Sequence, residues 1–181
     1  MTLPTINLDA KRSYPPRVTA FTKRFWEALG EGKFLATACE ACQRKAFPPK
    51  PICPHCWSNK VAWVDLSPTG ELYSATTIHA APAAFANEVP YRVAIVDLDD
   101  GLRIATKLIG DHVPLGSRVE IVVLQYRDGP LFAARPLEDS LESTAGRQVQ
   151  LLSYAARPPP AEIAFETDRT RPERGVRFLS R

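Results

Sequence analysis

The chain has 181 residues, of which 45% are hydrophobic and 24% charged, and its formal net charge is +3. This composition is typical of a globular protein with a modest core, and the small charge gives no argument by itself for a nucleic-acid partner. The longest apolar runs, Val93–Val96 and Ile121–Leu124, have the length of a strand and are far too short to span a bilayer. The N-terminus has no apolar signal core, which predicts a protein of the reducing cytoplasm without membrane attachment.

Residues 1–32 are predicted to form an extended arm followed by an amphipathic helix. The arm is rich in proline and shows no periodic pattern, whereas the next residues place apolar side chains on one helical face before Gly30 and Gly32 end the helix. This face consists of Phe21, Phe25, Trp26 and Leu29. It either packs on its own domain or docks on a partner protein, because aromatic residues are enriched at interfaces. The candidate partner contacts are Phe21, Phe25, Trp26 and, in a later loop, Phe85.

Residues 33–66 contain all four cysteines, in the pairs Cys39-Glu-Ala-Cys42 and Cys53-Pro-His-Cys56. Each pair is suited to one side of a tetrahedral zinc, and a short connection brings the second pair over the first. Two disulfides are the alternative, but nothing marks the chain as secreted, and redox chemistry is a weaker alternative still. His55 lies between two of the cysteines, yet four thiolates already fill the shell. The pattern predicts a closed structural zinc site and leaves no thiol for catalysis.

The segment 67–137 is predicted to be all β. Ser67-Pro68-Thr69-Gly70 reads as a turn, and two further turns contain Gly101 and Gly129. The five strand-like runs are Glu71–Ile78, Tyr91–Leu98, Leu102–Ile109, Val119–Arg127 and Leu131–Arg135. They suit a five-stranded barrel of the OB type, with an open sandwich as the alternative. The fold class is therefore mainly β, with an N-terminal helix and a zinc ribbon before the barrel. Residues 138–181 break the pattern and form a C-terminal extension that we expect to be partly disordered.

These motifs resemble the DUF35 family from about Thr19 to Arg135. The resemblance rests on the helix, the knuckle Cys39-x-x-Cys42 with Phe47-Pro48-Pro49, and the knuckle Cys53-Pro54-x-Cys56. It continues through Gly70-x-Leu72-Tyr73-Ser74, the strand from Pro90-Tyr91 to Leu98, Gly101-Leu102-Arg103 and Gly116-x-Arg118-Val119. It implies a rubredoxin-like zinc ribbon fused to an OB-fold. It also implies association with a thiolase-like enzyme that carries the catalytic cysteine, so that no residue of this chain is predicted to be catalytic. The extension beyond Glu138 is longer than the usual family end.

The resemblance further implies that the chain and its partner share a coenzyme A thioester, which needs cations for its phosphates and an apolar trough. The candidate cations are Arg44, Lys45, Lys50, Arg92, Arg103 and Lys107. Each of them is alternatively a surface or paired charge. The apolar loop Ala80–Pro90 is a candidate lining for an acyl chain or a partner face, and packing on the barrel rim is the other interpretation.

A nucleic-acid-binding module is the alternative function, because OB barrels also bind single strands on aromatic platforms. The aromatic candidates are Tyr73, Tyr91, Tyr126 and Phe132. The mixed charge near them disfavours this alternative. An enzyme that acts alone has no recognisable catalytic set, since the histidines His55, His79 and His112 are scattered singly.

Overall fold

The structure is a computed structural model that describes residues 2–137, and it is mainly β. The predicted C-terminal extension, residues 138–181, lies outside the described residues. In chain order the elements are β1 (Thr5–Asn7), α1 (Lys23–Gly30), β2 (Leu35–Cys39), β3 (Lys45–Ala46), β4 (Val61–Asp65), β5 (Thr69–Ile78), a 3₁₀ helix (Ala83–Glu88), β6 (Tyr91–Leu98), β7 (Arg103–Leu108), β8 (Arg118–Tyr126) and β9 (Gly129–Pro136). Over residues 2–137, none of the helices combines the length and the apolar character that crossing a membrane requires.

Strands β5 to β9 close into the predicted five-stranded barrel. Strand β5 pairs with β6 and β8, β6 pairs with β7, and β9 completes the ring by pairing with both β7 and β8. Alternate residues point inward, so that Ala94, Val96 and Leu98 of β6 are buried between less buried neighbours. The turn prediction for Ser67-Pro68-Thr69-Gly70 was wrong in its second half, because Thr69 and Gly70 already pair with β6 or β8.

The N-terminal arm is more than an extended connector, because it adds β1 to the outside of the barrel. Strand β1 runs parallel to β8, with Ile6 opposite Leu124. Ile6 packs there on a second apolar cluster formed by Val122, Leu124 and Ala133, whose side chains face away from the barrel interior. The arm therefore covers outward-facing apolar residues of β8 and β9.

The ribbon is a three-stranded antiparallel sheet with the order β3-β2-β4. Its apolar side chains are continuous with the barrel core. Rings of Phe25 from α1, Phe34 and Phe47 from the ribbon and Phe132 from the barrel lie with centroids 5.1 to 6.3 Å apart. These aromatic contacts fix the position of the cysteine knuckles relative to the barrel.

The predicted amphipathic helix is α1, which has eight residues and so is about two turns long. Thr19 and Thr22 exchange backbone-to-hydroxyl hydrogen bonds in the turn just before it, where each backbone N–H donates to the other residue's Oγ1. Its buried residues are Phe25, Ala28 and Leu29. Of the two interpretations of its apolar face, packing on the chain's own core is the one observed.

Candidate functional site

The four cysteine sulfurs lie together at one end of the ribbon. All four Sγ atoms are within 4.8 Å of one another, with Cys39 3.5 Å from Cys56 and Cys42 3.6 Å from Cys53. A tetrahedral zinc with Zn–S bonds of about 2.3 Å needs sulfurs about 3.8 Å apart, so the cluster fits the metal. These are the sulfurs of free cysteines and not of disulfides. The donor set has only soft thiolates and leaves no position for a water, so the bound zinc would hold structure.

The two knuckles repeat the same backbone geometry. The residue after each second cysteine, Gln43 or Trp57, has positive φ, 59° and 62° respectively. Its N–H donates to the carbonyl of the first cysteine of the same pair, at 2.9 Å in the first knuckle and 3.0 Å in the second. The N–H of that first cysteine in turn donates to the carbonyl of the residue five positions ahead, at 2.9 Å in both knuckles. Each turn therefore points two sulfurs in one direction.

Backbone N–H groups in the knuckles stabilise the thiolate over the thiol at the first cysteine of each pair, Cys39 and Cys53. At Cys56 the Ser58 N–H acts in the same direction, but hydrogen bonds with the other three sulfurs and burial outweigh it and raise the pKa to about 12. The N–H of Cys42 has the largest effect on Cys39, and together with the Ala41 N–H and the neighbouring Cys56 and Cys42 thiols it lowers the pKa of that thiol to about 6 against the opposing effect of burial. Burial has the largest single effect on Cys53 and raises its pKa, but the N–H groups of His55 and Cys56 outweigh it and lower the pKa overall. The His55 N–H lies 3.4 Å from the Cys53 sulfur. Thiolates are the form that zinc binds.

The structure places the six predicted coenzyme A cations in different settings. Lys45 pairs with Asp100, Arg103 with Asp97, and Lys107 with Glu88. Arg92 donates to the carbonyl of Gly110 at 2.7 Å. The exposed residues Arg44 and Lys50 form no side-chain ion pair within residues 2–137. Of the six, only these two have side chains without a hydrogen-bond or ion-pair partner in the described chain.

The four predicted partner contacts differ in exposure, with Phe25 buried and Phe21, Trp26 and Phe85 partly exposed. Phe25 is 4% exposed and lies in the core. Phe21 stacks on Trp63 with a centroid distance of 5.0 Å, and Trp26 packs edge-on against Phe25. Phe85 lies in the 3₁₀ helix beside Tyr91. Among described large hydrophobic residues the most exposed is instead Trp57, at 80%, and Ile52 on the same knuckle is 48% exposed.

A half-open groove of about 280 Å³ runs along the outside of the barrel between the N-terminal arm and the 3₁₀ helix. Outward-facing residues of β6 to β9 form its floor, and aromatic side chains form much of its walls. It is lined by Ser13, Tyr14, Phe85, Glu88, Tyr91, Val93, Ala105, Thr106, Lys107, Leu124, Tyr126, Leu131 and Phe132. The predicted residues Phe85 and Lys107 therefore meet at one site, whereas the other predicted cations lie elsewhere.

An ion pair joins the walls of this groove. Lys107 Nζ lies 2.6 Å from Glu88 Oε2, and it also lies 5.6 Å from the centre of the Tyr91 ring. Burial opposes ionisation of Glu88, but hydrogen bonds from Lys107 and from the Ser13 side chain lower its pKa overall. Glu88 thus connects the 3₁₀ helix, β7 and the arm. Burial, with a smaller contribution from the Glu88 charge, raises the pKa of Tyr126.

Sequence reasoning missed most of the groove. Tyr14 lies in an arm without pattern, 71 residues before Phe85, yet the two ring centroids are 6.2 Å apart. The outward alternation of Val93 and Ala105 along their strands was the signal available, since apolar residues on the solvent face of a strand indicate a covered surface.

The four aromatic residues considered for nucleic-acid binding do not form one exposed platform. The Arg103 guanidinium covers the Tyr73 ring at 3.6 Å from its centre. Tyr91 and Tyr126 line the groove, and Phe132 packs on the aromatic cluster of the core.

The fold and the cysteine cluster define a zinc ribbon joined to an OB-fold barrel. Two family models match this division, the ChsH2 rubredoxin-like zinc ribbon domain over residues 26–62 and the ChsH2 C-terminal OB-fold domain over residues 63–124. A DUF35 domain-containing scaffold protein of Methanocaldococcus jannaschii is 30% identical over 110 residues, which are 58% of this chain and 78% of that protein. The chain belongs to the DUF35 family.

Three further similarities concern proteins of named activity. A chain of a solved structure described as the Ltp2-ChsH2(DUF35) aldolase is 32% identical with a TM-score of 0.59, over 67% of this chain and 98% of that chain. A probable enoyl-CoA hydratase alpha subunit of Thermomonospora curvata is 38% identical over 52% of this chain, but the match spans only 31% of that protein. The benzoylsuccinyl-CoA thiolase subunit BbsA of Geobacter metallireducens is 34% identical over 40% of this chain and 48% of its own length.

Proposed function

We propose that this chain is a non-catalytic partner subunit of a thiolase-like enzyme, and that it helps to bind or channel an acyl-CoA substrate. The observation that carries the proposal is the match to nearly the whole of a DUF35 chain in an aldolase structure. A relative named as a thiolase subunit supports it independently. The partner would make or break the carbon–carbon bond.

The cysteine site supports the non-catalytic role. All four cysteines of the sequence lie in one cluster, so a metal bound there removes every thiol of the chain from nucleophilic chemistry. The three histidines are exposed and lie on separate segments. We therefore assign the catalytic cysteine to the partner.

The charges of the ribbon support a shared coenzyme A site. Arg44 and Lys50 are exposed and lack an ion pair within residues 2–137, so their charges are available to a ligand phosphate. Lys45, Arg103 and Lys107 would first have to leave a carboxylate. We propose Arg44 and Lys50 as the phosphate contacts.

The second knuckle offers the surface on which we propose that the partner docks. Trp57 and Ile52 are exposed apolar side chains on one short segment, and Lys50 and Lys60 at its two ends lack ion pairs within the described residues. Tryptophan is enriched among residues that dominate binding energy. The partner that fits is a thiolase-like subunit with an apolar pocket for the indole and acidic residues around it. Coenzyme A held by Lys50 would then lie at the edge of this contact, shared with the partner.

The test is a mild pull-down of the tagged chain from its host, followed by mass spectrometry and an activity assay. A stoichiometric thiolase-like protein is expected, with turnover only when both proteins are mixed. Turnover by the isolated chain would contradict the proposal. Retention of nucleic acid alone, released by raising salt, would favour the nucleic-acid alternative instead.

A further inference from the structure

The groove on the outside of the barrel has a chemistry that the closed metal site and the ribbon cations do not explain. It lies between the arm and the 3₁₀ helix, and aliphatic side chains cover its floor. Val93 and Ala105 face outward from neighbouring strands, opposite Lys107 and Ile95 respectively in the register of β6 and β7. Its volume of about 280 Å³ lies just below the usual range for small-molecule pockets, which begins at about 300 Å³. It therefore has room for one compact group and not for a whole cofactor.

The charges of the groove select a neutral group. Its ionic side chains, Lys107 and Glu88, are bonded to each other at 2.6 Å, so neither sign of charge is left unbalanced. A phosphate would have to break this pair to gain a cation. A pantetheine arm would bring amides, and each amide loses free energy when it is buried without a partner. Among the parts of an acyl-CoA, the acyl group is the one that the lining accepts.

The walls select a planar group with a hydrogen-bond acceptor. The rings of Tyr14, Phe85 and Tyr91 form a row, with successive centroids 6.2 and 6.5 Å apart. Such ring faces and edges pack favourably on another aromatic ring. The Tyr126 hydroxyl neither accepts nor donates a hydrogen bond within residues 2–137, and as a phenol it carries its proton at neutral pH. It is a donor without a partner beside an apolar surface.

We propose that this groove binds an aromatic or similarly planar, uncharged acyl group, with the Tyr126 hydroxyl as a donor to its carbonyl oxygen. That the group arrives as part of a thioester rests on the proposed function. The groove itself, its balanced charge and its aromatic walls do not depend on the proposed function.

The test uses the full-length, zinc-loaded chain and a neutral probe, the benzoyl thioester of N-acetylcysteamine. Binding is followed by calorimetry and by NMR shifts of the Val93 and Ala105 methyl groups. The acetyl thioester of the same handle is the comparison, because it differs only in having a methyl group in place of the ring. Burial of the ring predicts that the benzoyl probe binds at least about tenfold more tightly. Equal affinities, or shifts confined to other parts of the chain, would overturn the proposal.

Two variants locate the binding. Ala105→Leu fills the groove floor and should weaken binding of the benzoyl probe at least about tenfold. Ala86→Leu is the control, because it makes the same change on an exposed residue of the 3₁₀ helix that does not line the groove. Tyr126→Phe removes only the hydroxyl and should weaken binding about three- to tenfold. Unchanged thermal unfolding and zinc content verify that each variant is folded. Equal effects of the two leucine variants would contradict the assignment to the groove.

The same variants separate this proposal from the proposed function. If Ala105→Leu loses the probe but still retains the thiolase-like partner, both proposals stand. If wild type retains a partner but binds no probe, and Ala105→Leu loses that partner, the groove is a protein contact and the ligand proposal is wrong. Probe binding without any partner would support the groove and contradict the partner-subunit role.

Discussion

Lys45 of the ribbon forms an ion pair with Asp100 in the turn between β6 and β7 of the barrel. The second carboxylate oxygen of Asp100 accepts a hydrogen bond from the backbone N–H of Ser67, where the chain leaves the ribbon. The side chains of the pair are 32% and 20% exposed, so solvent screens the pair only in part. One carboxylate thus connects the β6–β7 turn of the barrel, the linker at Ser67 and the ribbon strand that follows the first knuckle.

This arrangement predicts unequal effects of removing its two members. Asp100→Ala should lower the free energy of unfolding by about 2 kcal/mol, because it leaves both the lysine and the Ser67 N–H without an acceptor. Lys45→Met should cost less than about 1 kcal/mol, since the carboxylate keeps its backbone donor. Urea unfolding measures both values. Lys33→Met removes the more exposed pair with Glu31 and is the control, with an expected change of a few tenths of a kcal/mol. Equal costs for Lys45→Met and Asp100→Ala would contradict the bridging role.

The metal site gives a second prediction, with His55 as an internal control. Metal analysis should find one zinc per chain, and Cys56→Ser should lose it, because three thiolates leave the shell open. His55→Ala should retain zinc, since His55 contributes a backbone N–H and its exposed side chain is not needed as a ligand. A chelator should unfold the ribbon, because structural zinc contributes directly to folding. Retention of zinc by Cys56→Ser together with loss in His55→Ala would show that the histidine is the ligand.

The local parts of this fold were predictable because their signals are local. Cysteine spacing defines the knuckles, and alternation with glycine turns defines the five barrel strands. Contacts between distant segments were not predictable. Strand β1 has three residues and no alternation of its own, and its pairing depends on the outward face of β8. The sequence shows that Arg103 and Lys107 are cations but not that Asp97 and Glu88 already neutralise them. The groove combines residues from the arm and from the barrel, which only the tertiary structure brings together.

Asp99 gives a prediction of pH dependence. The Arg118 guanidinium above all, together with the Thr69 hydroxyl, lowers the pKa of Asp99 from 3.8 to about 2. A carboxyl whose pKa is lower in the folded state stabilises the fold above its unfolded pKa and loses this effect as the pH falls. The urea midpoint should therefore fall between about pH 4 and pH 2. Asp99→Asn should flatten part of this decline, whereas Asp111→Asn, which changes an exposed carboxyl without an ion pair in the described chain, should not. Identical pH profiles for the two variants would exclude the Asp99–Arg118 pair as a source of acid sensitivity.

Gly70 and Gly101 are predicted to need glycine for different reasons. A Cβ at Gly70 would lie 2.9 Å from the Leu98 Cα on the paired strand, so Gly70→Ala must push two backbones apart. At Gly101 a Cβ meets nothing within 4 Å, but φ is +77°. Gly70→Ala should cost about 2 to 3 kcal/mol of unfolding free energy and Gly101→Ala about 1 kcal/mol. Thermal unfolding, monitored by circular dichroism, ranks the two variants by stability. A larger loss of stability for Gly101→Ala than for Gly70→Ala would contradict the close approach at Gly70.

Trp57 combines a strained backbone with an exposed side chain, and this combination predicts opposite effects on stability and on assembly. Its φ of 62° is unfavourable for any residue with a Cβ, so Trp57→Gly should raise the free energy of unfolding of the isolated chain by about 1 kcal/mol. The same change removes the proposed docking side chain and should weaken the complex with the thiolase-like partner at least tenfold, as expected for loss of a central tryptophan. Calorimetry on the isolated chain and a titration with the purified partner measure the two effects.

Gln43→Gly is the matched control, because Gln43 has nearly the same backbone conformation, with φ of 59°, at the equivalent position of the first knuckle. It should also stabilise the isolated chain, although less, since the Gln43 side chain donates to the Glu40 carbonyl at 2.8 Å. Its complex should keep wild-type affinity. If both glycine variants bind the partner equally well, the second knuckle is not the docking surface, and the exposed indole has another explanation. If only Trp57→Gly loses the partner while gaining stability, the left-handed turn is retained because it holds the indole toward the partner. The cost of such a turn in stability is then measured separately by Gln43→Gly in the first knuckle.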